Sequence, residues 1–167
     1  MPDLPRRLAL AGAGVLLAAP ALGQARPRIV VVGAGAAGLA TASHLRALVP
    51  GAEIVVMDGR PRHHYQPGWT LLYAGVEPPA YGDLGRTADW IPRGARLHVS
   101  PARAIDPVAK RVEAEDGERI PYDRLVVACG LDLDFGAIAG FQEALERPDS
   151  GVACVYRGAD AASLAGR

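Results

Sequence analysis

A glycine-rich turn is the feature that most constrains how this chain can fold. Residues 33–38 are Gly-Ala-Gly-Ala-Ala-Gly; the apolar run Ile-Val-Val-Val precedes them at 29–32, and a stretch rich in Ala and Leu follows at 39–48. A short run of β-branched residues is typical of a strand buried on both faces, and the Ala/Leu stretch is typical of a helix, here ended by Pro50-Gly51. The sequence therefore predicts a strand, a tight turn and a helix in immediate succession.

A second apolar run, Glu53–Met57, follows the predicted helix and is closed by Asp58-Gly59. Two strands joined by one helix form a parallel βαβ unit, and such crossovers are almost always right-handed. We therefore predict an α/β fold of the Rossmann-like type, built on a parallel sheet.

The spacing of the three glycines has a physical reason. Gly33 permits a sharp turn, Gly35 lets the backbone approach a pyrophosphate, and Gly38 lets the helix pack closely on the strand. The amides of Ala36 and Ala37 open the helix and point toward the phosphate charge, which the helix dipole also favours. The pattern predicts a binding site for a dinucleotide.

An acidic residue stands where the ribose of such a dinucleotide is expected. Asp58 comes 20 residues after Gly38, at the end of the second predicted strand. A carboxylate at this spacing accepts hydrogen bonds from ribose hydroxyls. Asp58 is therefore predicted to bind the ribose.

The segment after Asp58 distinguishes between two dinucleotides. A nicotinamide-binding domain is expected to continue with a helix and a third parallel strand, but residues 61–94 contain five prolines and little helical periodicity. The short alternating segments Arg96–Val99, Arg111–Ala114 and Glu118–Ile120 predict an antiparallel meander that serves as the crossover. Tyr122–Gly130 predicts another buried strand, ending in a turn of small residues. Residues 61–130 therefore depart from the pattern of a nicotinamide-binding domain.

This arrangement resembles the FAD domain of the two-dinucleotide-binding flavoproteins, where a Tyr-Asp-x-Leu strand ends in an Ala-x-Gly turn against the flavin. The matching residues here are Tyr122 to Leu125 and Ala128 to Gly130. By this resemblance FAD is preferred to NAD as the cofactor. His64–Gly75, which contains Tyr-Gln-Pro-Gly-Trp-Thr-Leu, narrows the resemblance further, together with Arg86-Thr87-Ala88 and Trp90-Ile91-Pro92. These segments resemble the sulfide:quinone oxidoreductases, particularly their mitochondrial-like branch.

The resemblance implies an oxidoreductase that oxidises sulfide and passes electrons through FAD to a quinone, with peripheral membrane association through a C-terminal region. The residues that it implies to contact or flank FAD are Ala36, Ala37, Asp58 and Gln66, Ala102 at the adenine end, and Ala128, Cys129 and Gly130 beside the flavin. His63-His64 is expected to be a solvated pair, and no metal site is predicted.

Cysteines carry the electron relay in that family, and both cysteines of the mitochondrial-like branch lie downstream of the region that matches here. This chain has two cysteines, Cys129 and Cys154, without C-x-x-C or zinc-ligand spacing. Cys154 is the candidate catalytic residue, because some bacterial members carry a redox cysteine near that position; the alternative is a structural role. Cys129 replaces the usual Thr of the turn and is expected to lie near the flavin without redox function.

Residues 1–25 predict a secretory signal peptide. Arg6-Arg7 precedes an apolar run, Leu8–Leu22, and the small residues of Gly23-Gln24-Ala25 follow where a signal peptidase cleaves. The run is shorter than the ~20 residues that span a bilayer. The arginine pair leaves the twin-arginine route open beside the general secretory route. We therefore expect a periplasmic or otherwise exported protein.

Length and charge limit the function further. The 167 residues carry 18 basic and 18 acidic side chains, without the basic stripe of a nucleic-acid-binding protein. Family members also have a second nucleotide-binding domain, so residues 26–167 are predicted to be the N-terminal part of an FAD/NAD(P)-binding domain. Two alternatives stay open: the flavoprotein subunit of flavocytochrome c sulfide dehydrogenase, and an inactive FAD-binding fragment.

Overall fold

The computed structural model describes residues 26–147 and 149–157, so the predicted signal peptide lies outside the described residues. The strands, in chain order, are β1 (Arg28–Val32), β2 (Glu53–Met57), β3 (Arg62–His64), β4 (Asp83–Arg86), β5 (Ala95–His98), β6 (Ala102–Asp106), β7 (Arg111–Ala114), β8 (Arg119–Pro121) and β9 (Arg124–Val127). The helices are α1 (Ala36–Leu48), α2 (Trp69–Tyr73) and α3 (Phe141–Glu146).

A four-stranded parallel sheet forms the centre of the molecule, with the strand order β5-β2-β1-β9. The register pairs Ile29 with Ile54 on one side of β1 and with Arg124 on the other. Helix α1 connects the neighbouring parallel strands β1 and β2, which confirms the predicted βαβ unit. The predicted α/β, Rossmann-like fold class is therefore correct.

The two faces of this sheet are covered by different elements. Side chains alternate between the faces along β1 and β2, as the pleat of a strand requires. One core cluster joins the sheet to α1; its buried members are Ile29, Val31, Ala34, Leu39, Ala42, Ala52, Ile54 and Val56. The other joins the sheet to strands β7 and β8; its buried members are Val30, Val32, Val55, Met57, Val112, Ala114 and Ile120. Both central strands are thus buried on both faces, as predicted.

The antiparallel meander consists of β6, β7 and β8, and this corrects part of the prediction. Segment Arg96–Val99 was expected to be its first strand, but β5 (Ala95–His98) instead pairs with β2 as a third parallel strand. The first meander strand is β6, between Pro101 and Pro107. Strand β5 lies at the sheet edge, where Arg96 is exposed between the half-buried Ala95 and Leu97, and this alternation of apolar and polar residues is the same as in a meander strand.

Residues between β2 and β5 form a small separate cluster, without a long helix among the described residues. Strands β3 and β4 pair antiparallel, and α2 has only five residues. Trp69 and Leu72 of α2 are buried together, with Tyr73 against them. The segment 61–94 therefore contains no long crossover helix among the described residues, as its lack of helical periodicity predicted.

The strand predicted over Tyr122–Gly130 forms at β9, but it is not buried throughout. Leu125 and Val126 are half-buried, and Val127 is 60% exposed. Strand β9 lies at the other edge of the sheet, so one side of it has no neighbouring strand within the described residues.

Within the part of the chain that the structure describes, no helix combines the length and the apolar character needed to cross a bilayer.

Candidate cofactor site

Two of the three glycines in the turn are required by the packing of the protein itself. Gly33 has φ of 102°, and a Cβ added there would lie 2.3 Å from the carbonyl oxygen of Ala128. A Cβ added at Gly38 would lie 1.8 Å from the carbonyl oxygen of Gly33. Neither position admits a side chain without moving backbone, so both glycines fix how α1 and the turn after β9 approach β1.

Gly35 differs, because none of the residues that the structure describes requires a glycine there. Its φ of −74° and ψ of −177° suit any residue. The nearest neighbour of an added Cβ would be the Arg60 guanidinium, with Nη2 3.8 Å away. The surface in front of Gly35 is thus left open, as the approach of a pyrophosphate to the backbone requires.

The N-terminus of α1 opens onto the same space. The first hydrogen bond within the helix runs from the Leu39 amide to the Gly35 carbonyl, at 3.0 Å, so the amides of Ala36 and Ala37 precede it. Both alanines are exposed, and the first turn of α1 contains no acidic side chain. Free amides at the positive end of a 13-residue helix suit an anionic ligand.

Asp58 lies beside this turn with its carboxylate fully engaged. The amide of Ala34 donates to Oδ2 at 2.7 Å, and the amide of Arg60 donates to Oδ1 at 2.8 Å. The Arg60 guanidinium donates to the same two oxygens, from Nε at 3.0 Å and from Nη2 at 2.6 Å. These four bonds fill about four acceptor positions of a carboxylate, so a ribose hydroxyl can bind Asp58 only if Arg60 moves away.

The charge of Asp58 is maintained despite its burial. Desolvation by itself raises the pKa of the Asp58 carboxyl, but the hydrogen bonds from Arg60 and Ala34 outweigh it and hold this pKa below its ordinary value. Asp58 is 7% exposed, whereas the Arg60 side chain is 62% exposed. The arginine can therefore exchange with solvent or ligand while the carboxylate stays fixed.

The turn after β9 packs directly on the glycine turn. The Ala128 amide donates to the Val32 carbonyl at 2.8 Å, and the Ala128 Cβ would lie 3.6 Å from a Cβ at Gly38. Cys129 is exposed, with its Sγ 3.9 Å from the Val32 carbonyl oxygen. The structure thus brings the residues predicted to flank the flavin, Ala128 to Gly130, next to the glycine turn.

His63 and Arg60 lie at this site, although the sequence analysis missed both. His63 was expected to be solvated with His64, but it is only 6% exposed and its ring lies 5.7 Å from that of Trp90. Burial lowers the pKa of His63, and a hydrogen bond with the Ala34 backbone opposes this only in part. The position of Arg60 two residues after Asp58 was the available sequence signal.

The remaining predicted residues lie in other surroundings. Gln66 is exposed at the start of a one-turn 3-10 helix. Ala102 is half-buried at the start of β6, directly after Pro101, whose ring lies against Gly59. The carbonyl of Cys154 accepts a hydrogen bond from the Tyr73 hydroxyl at 3.0 Å. Their predicted roles toward FAD and in redox chemistry stay predictions.

A parallel sheet with a glycine turn, an open helix N-terminus and an acid after the second strand defines a dinucleotide-binding oxidoreductase domain. Residues 27–150 match the pyridine nucleotide-disulphide oxidoreductases, and the chain belongs to this family. The family and the fold confirm the prediction of an FAD-binding domain.

Proteins similar to this chain include sulfide:quinone oxidoreductases, the family that the sequence resemblance indicated. The chain is 34% identical over 146 residues to the mitochondrial sulfide:quinone oxidoreductase of Schizosaccharomyces pombe, covering 77% of this chain and 31% of that protein. It is 35% identical over 119 residues to the Dictyostelium discoideum enzyme of the same name, covering 71% of this chain and 26% of that protein.

A solved structure agrees with these matches. The sulfide:quinone oxidoreductase of Aquifex aeolicus superposes with a TM-score of 0.67 at 26% identity, covering 84% of this chain and 31% of that one. The chain thus spans less than a third of the length of these relatives.

Proposed function

We propose that this chain is the N-terminal, FAD-binding part of an oxidoreductase that takes electrons from sulfide and delivers them to a quinone. The observation that carries the proposal is the open surface at Gly35, where internal packing leaves room beside the N-terminus of a helix. The similarity to sulfide:quinone oxidoreductases over 77% of the chain supports the choice of substrates.

The residues of the site have distinct tasks in this proposal. Gly35 admits the pyrophosphate, and the amides of Ala36 and Ala37 donate hydrogen bonds to it. Asp58 accepts from the ribose hydroxyls once Arg60 has left it. Because Nη2 of Arg60 lies near Gly35, the released guanidinium stays close to the phosphate charge. When bound, FAD would supply the two-electron redox chemistry that links the sulfur substrate to the quinone.

Electron balance in the proposed reaction is simple. Sulfide loses two electrons, and the quinone gains these electrons with two protons to become a quinol. Within this chain we propose that Cys154 accepts the sulfur: a bond forms between its Sγ and the sulfide sulfur to give a persulfide, the protons of the two sulfhydryl groups leave to solvent, and bound FAD is the oxidant that would take up the two electrons. In the flavin-loaded protein, Cys154→Ser should slow reduction by sulfide, while Cys129→Ser should not.

A direct test uses the full chain loaded with FAD under anaerobic conditions. Quenching of flavin fluorescence measures binding, and bleaching of the flavin absorbance on addition of sulfide measures reduction. Reoxidation by a short-chain quinone supports the proposal, whereas reoxidation by cytochrome c alone favours the flavocytochrome c alternative. Bound flavin that sulfide does not bleach favours the inactive fragment, and failure to bind FAD contradicts the proposal.

We also propose that the protein is exported by means of residues 1–25. The support is the sequence pattern of paired arginines, apolar run and small residues. Mass spectrometry of the protein from a periplasmic extract should find an N-terminus near Arg26. A cytoplasmic protein that retains Met1 would contradict this part of the proposal.

A further inference from the structure

A histidine and two carboxylates meet where the meander joins the parallel sheet. His98 ends β5, and Asp116 and Glu118 lie in the connection between β7 and β8. One potential ligand atom from each of these side chains lies within 4.8 Å of the other two. Only the docking of the meander on the sheet brings the three residues together.

The burial of His98 distinguishes this cluster from a pair of exposed acidic side chains. The residue is 7% exposed, and its buried Nε2 makes no hydrogen bond to any residue that the structure describes, although Oδ2 of Asp116 is only 3.1 Å away. A buried polar atom without a hydrogen bond is costly. A proton on Nε2 would not point at this oxygen, and without a proton two electron-rich atoms face each other.

A shared cation accounts for this geometry. Nitrogen and oxygen ligands lie roughly 2.0–2.2 Å from a bound zinc ion, so two of them are separated by roughly 3–3.5 Å without pointing at each other. The 3.1 Å between Nε2 of His98 and Oδ2 of Asp116 falls in that range. These two atoms are therefore placed as neighbouring ligands of one ion.

Glu118 lies on the opposite side of the imidazole. Its Oε2 is 3.4 Å from Nδ1, the second ring nitrogen. Histidines that bind a metal through one nitrogen commonly have a carboxylate beside the other, which fixes the tautomer and strengthens the ligand. Glu118 thus supports His98 and adds negative charge to the site.

The donor set selects the kind of ion. An imidazole nitrogen with a carboxylate suits zinc and similar divalent transition metals, whereas magnesium and calcium prefer oxygen ligands alone. The side chains of Asp116 and Glu118 are 45% and 55% exposed, so an ion can enter from solvent and keep water ligands.

We propose that His98, Asp116 and Glu118 form a binding site for zinc or a similar divalent transition metal ion. The ion ties the β7–β8 connection to the end of β5. The amide of Asp58 donates a hydrogen bond to the carbonyl of His98 at 3.1 Å. The proposed metal site is therefore linked through one backbone hydrogen bond to Asp58 of the candidate cofactor site. The proposal does not depend on sulfide oxidation or on FAD.

Calorimetric titration of the full, chelator-treated chain with Zn²⁺ tests this site. We expect one ion per chain, with no displacement by excess Mg²⁺. Asp116→Asn, which removes a ligand, should weaken zinc binding by about 10-fold or more, and Glu118→Gln by a smaller factor. Glu115→Gln changes an exposed acid in the same turn, and His44→Asn changes an exposed histidine on α1; neither should alter affinity by more than about twofold.

A second measurement separates binding from misfolding. Zinc should shift the imidazole nitrogen resonances of His98, but not those of His44, in the NMR spectrum of the wild-type chain. At the same zinc concentration it should also raise the melting temperature of the wild type by more than that of Asp116→Asn. The proposal is overturned if Asp116→Asn/Glu118→Gln binds zinc as tightly as the wild type, or if the His98 resonances do not respond.

Discussion

The two halves of the parallel sheet are covered very differently. In β1 and β2, Val30, Val31, Val55 and Val56 are completely buried between α1 and the meander. At the end of β9, the apolar side chains of Val127 and Leu131 are 60% and 80% exposed. Within the described residues, the apolar side chains of β1 and β2 are therefore covered and those at the end of β9 are not.

This contrast predicts which residues serve the fold and which are available to a ligand. Single exposed apolar side chains are normal on protein surfaces, but here Val127 and Leu131 flank the turn Ala128 to Gly130 on both sides. The same division exists within the glycine turn, where packing explains Gly33 and Gly38 but not Gly35. Substitutions at residues of the two classes therefore test this distinction.

The largest effect is expected at Gly38. A Cβ there would lie 1.8 Å from a backbone oxygen, so Gly38→Ala must displace α1 or the turn. We expect the free energy of unfolding to fall by about 3 kcal/mol or more, at the upper end of the cost of overpacking. Urea denaturation monitored by circular dichroism measures this loss. Gly51→Ala is the control, because a Cβ at Gly51 has no neighbour within 4 Å.

A matched pair of valines tests the covered and open halves directly. Val55→Ala removes two methyl groups from a fully buried position and should cost about 2–3 kcal/mol of stability, including the cavity left behind. Val127→Ala makes the same chemical change at a 60% exposed position. It should cost less than about 0.5 kcal/mol in urea denaturation. Equal losses at the two sites would show that the open half is covered in solution.

Gly35 should separate cofactor binding from stability. Serine is a favourable N-cap residue, so Gly35→Ser should leave the free energy of unfolding within about 0.5 kcal/mol of the wild type. Its side chain would occupy the phosphate space and compete for the first amides of α1. FAD affinity, measured by flavin fluorescence quenching, should fall by about 10-fold or more, which is about 1.4 kcal/mol. Unchanged FAD affinity would contradict the role assigned to this glycine.

The smallest expected effect is a dependence of the free energy of unfolding on pH, caused by protonation of His63. Its pKa is lowered by burial, so the folded state binds fewer protons than the unfolded state as the pH falls below the ordinary histidine pKa of about 6.5. Stability should therefore be intact above this pH and decline as the pH falls toward the lowered pKa. Replacement by Phe keeps the ring beside Trp90 and should flatten the decline in urea denaturation across this range. His44→Phe, at an exposed histidine, should leave it in place.

The sequence predicted the parts of the molecule that depend on local pattern. The turn at Gly33 to Gly38, its flanking elements and the position of Asp58 follow from spacing alone, because each feature is encoded within about 30 contiguous residues, the length of a βαβ unit. Membership of β5 in the parallel sheet could not be predicted in this way. A four-residue edge strand has the same alternation in either sheet, and only pairing with β2 distinguishes them.

Side-chain partners were harder to predict than backbone elements. The burial of His63 depends on Trp90, and the ion pair of Asp58 depends on the rotamer of Arg60. The cluster at His98 requires the register of the meander against the sheet. Each of these contacts follows from tertiary packing, which the period of a single segment does not encode.

Strand order has a consequence for how the molecule assembles. β1 is the first strand in the chain but lies inside the sheet; it pairs with β2 about 25 residues later and with β9 about 95 residues later. The second pairing requires the closure of a long loop, which is slow compared with local pairing. Ala128 to Gly130 reach the glycine turn only when β9 has docked. The candidate cofactor site is therefore completed only after β9 has docked, so a chain leaving the ribosome presents its glycine turn well before Ala128 to Gly130 can lie beside it.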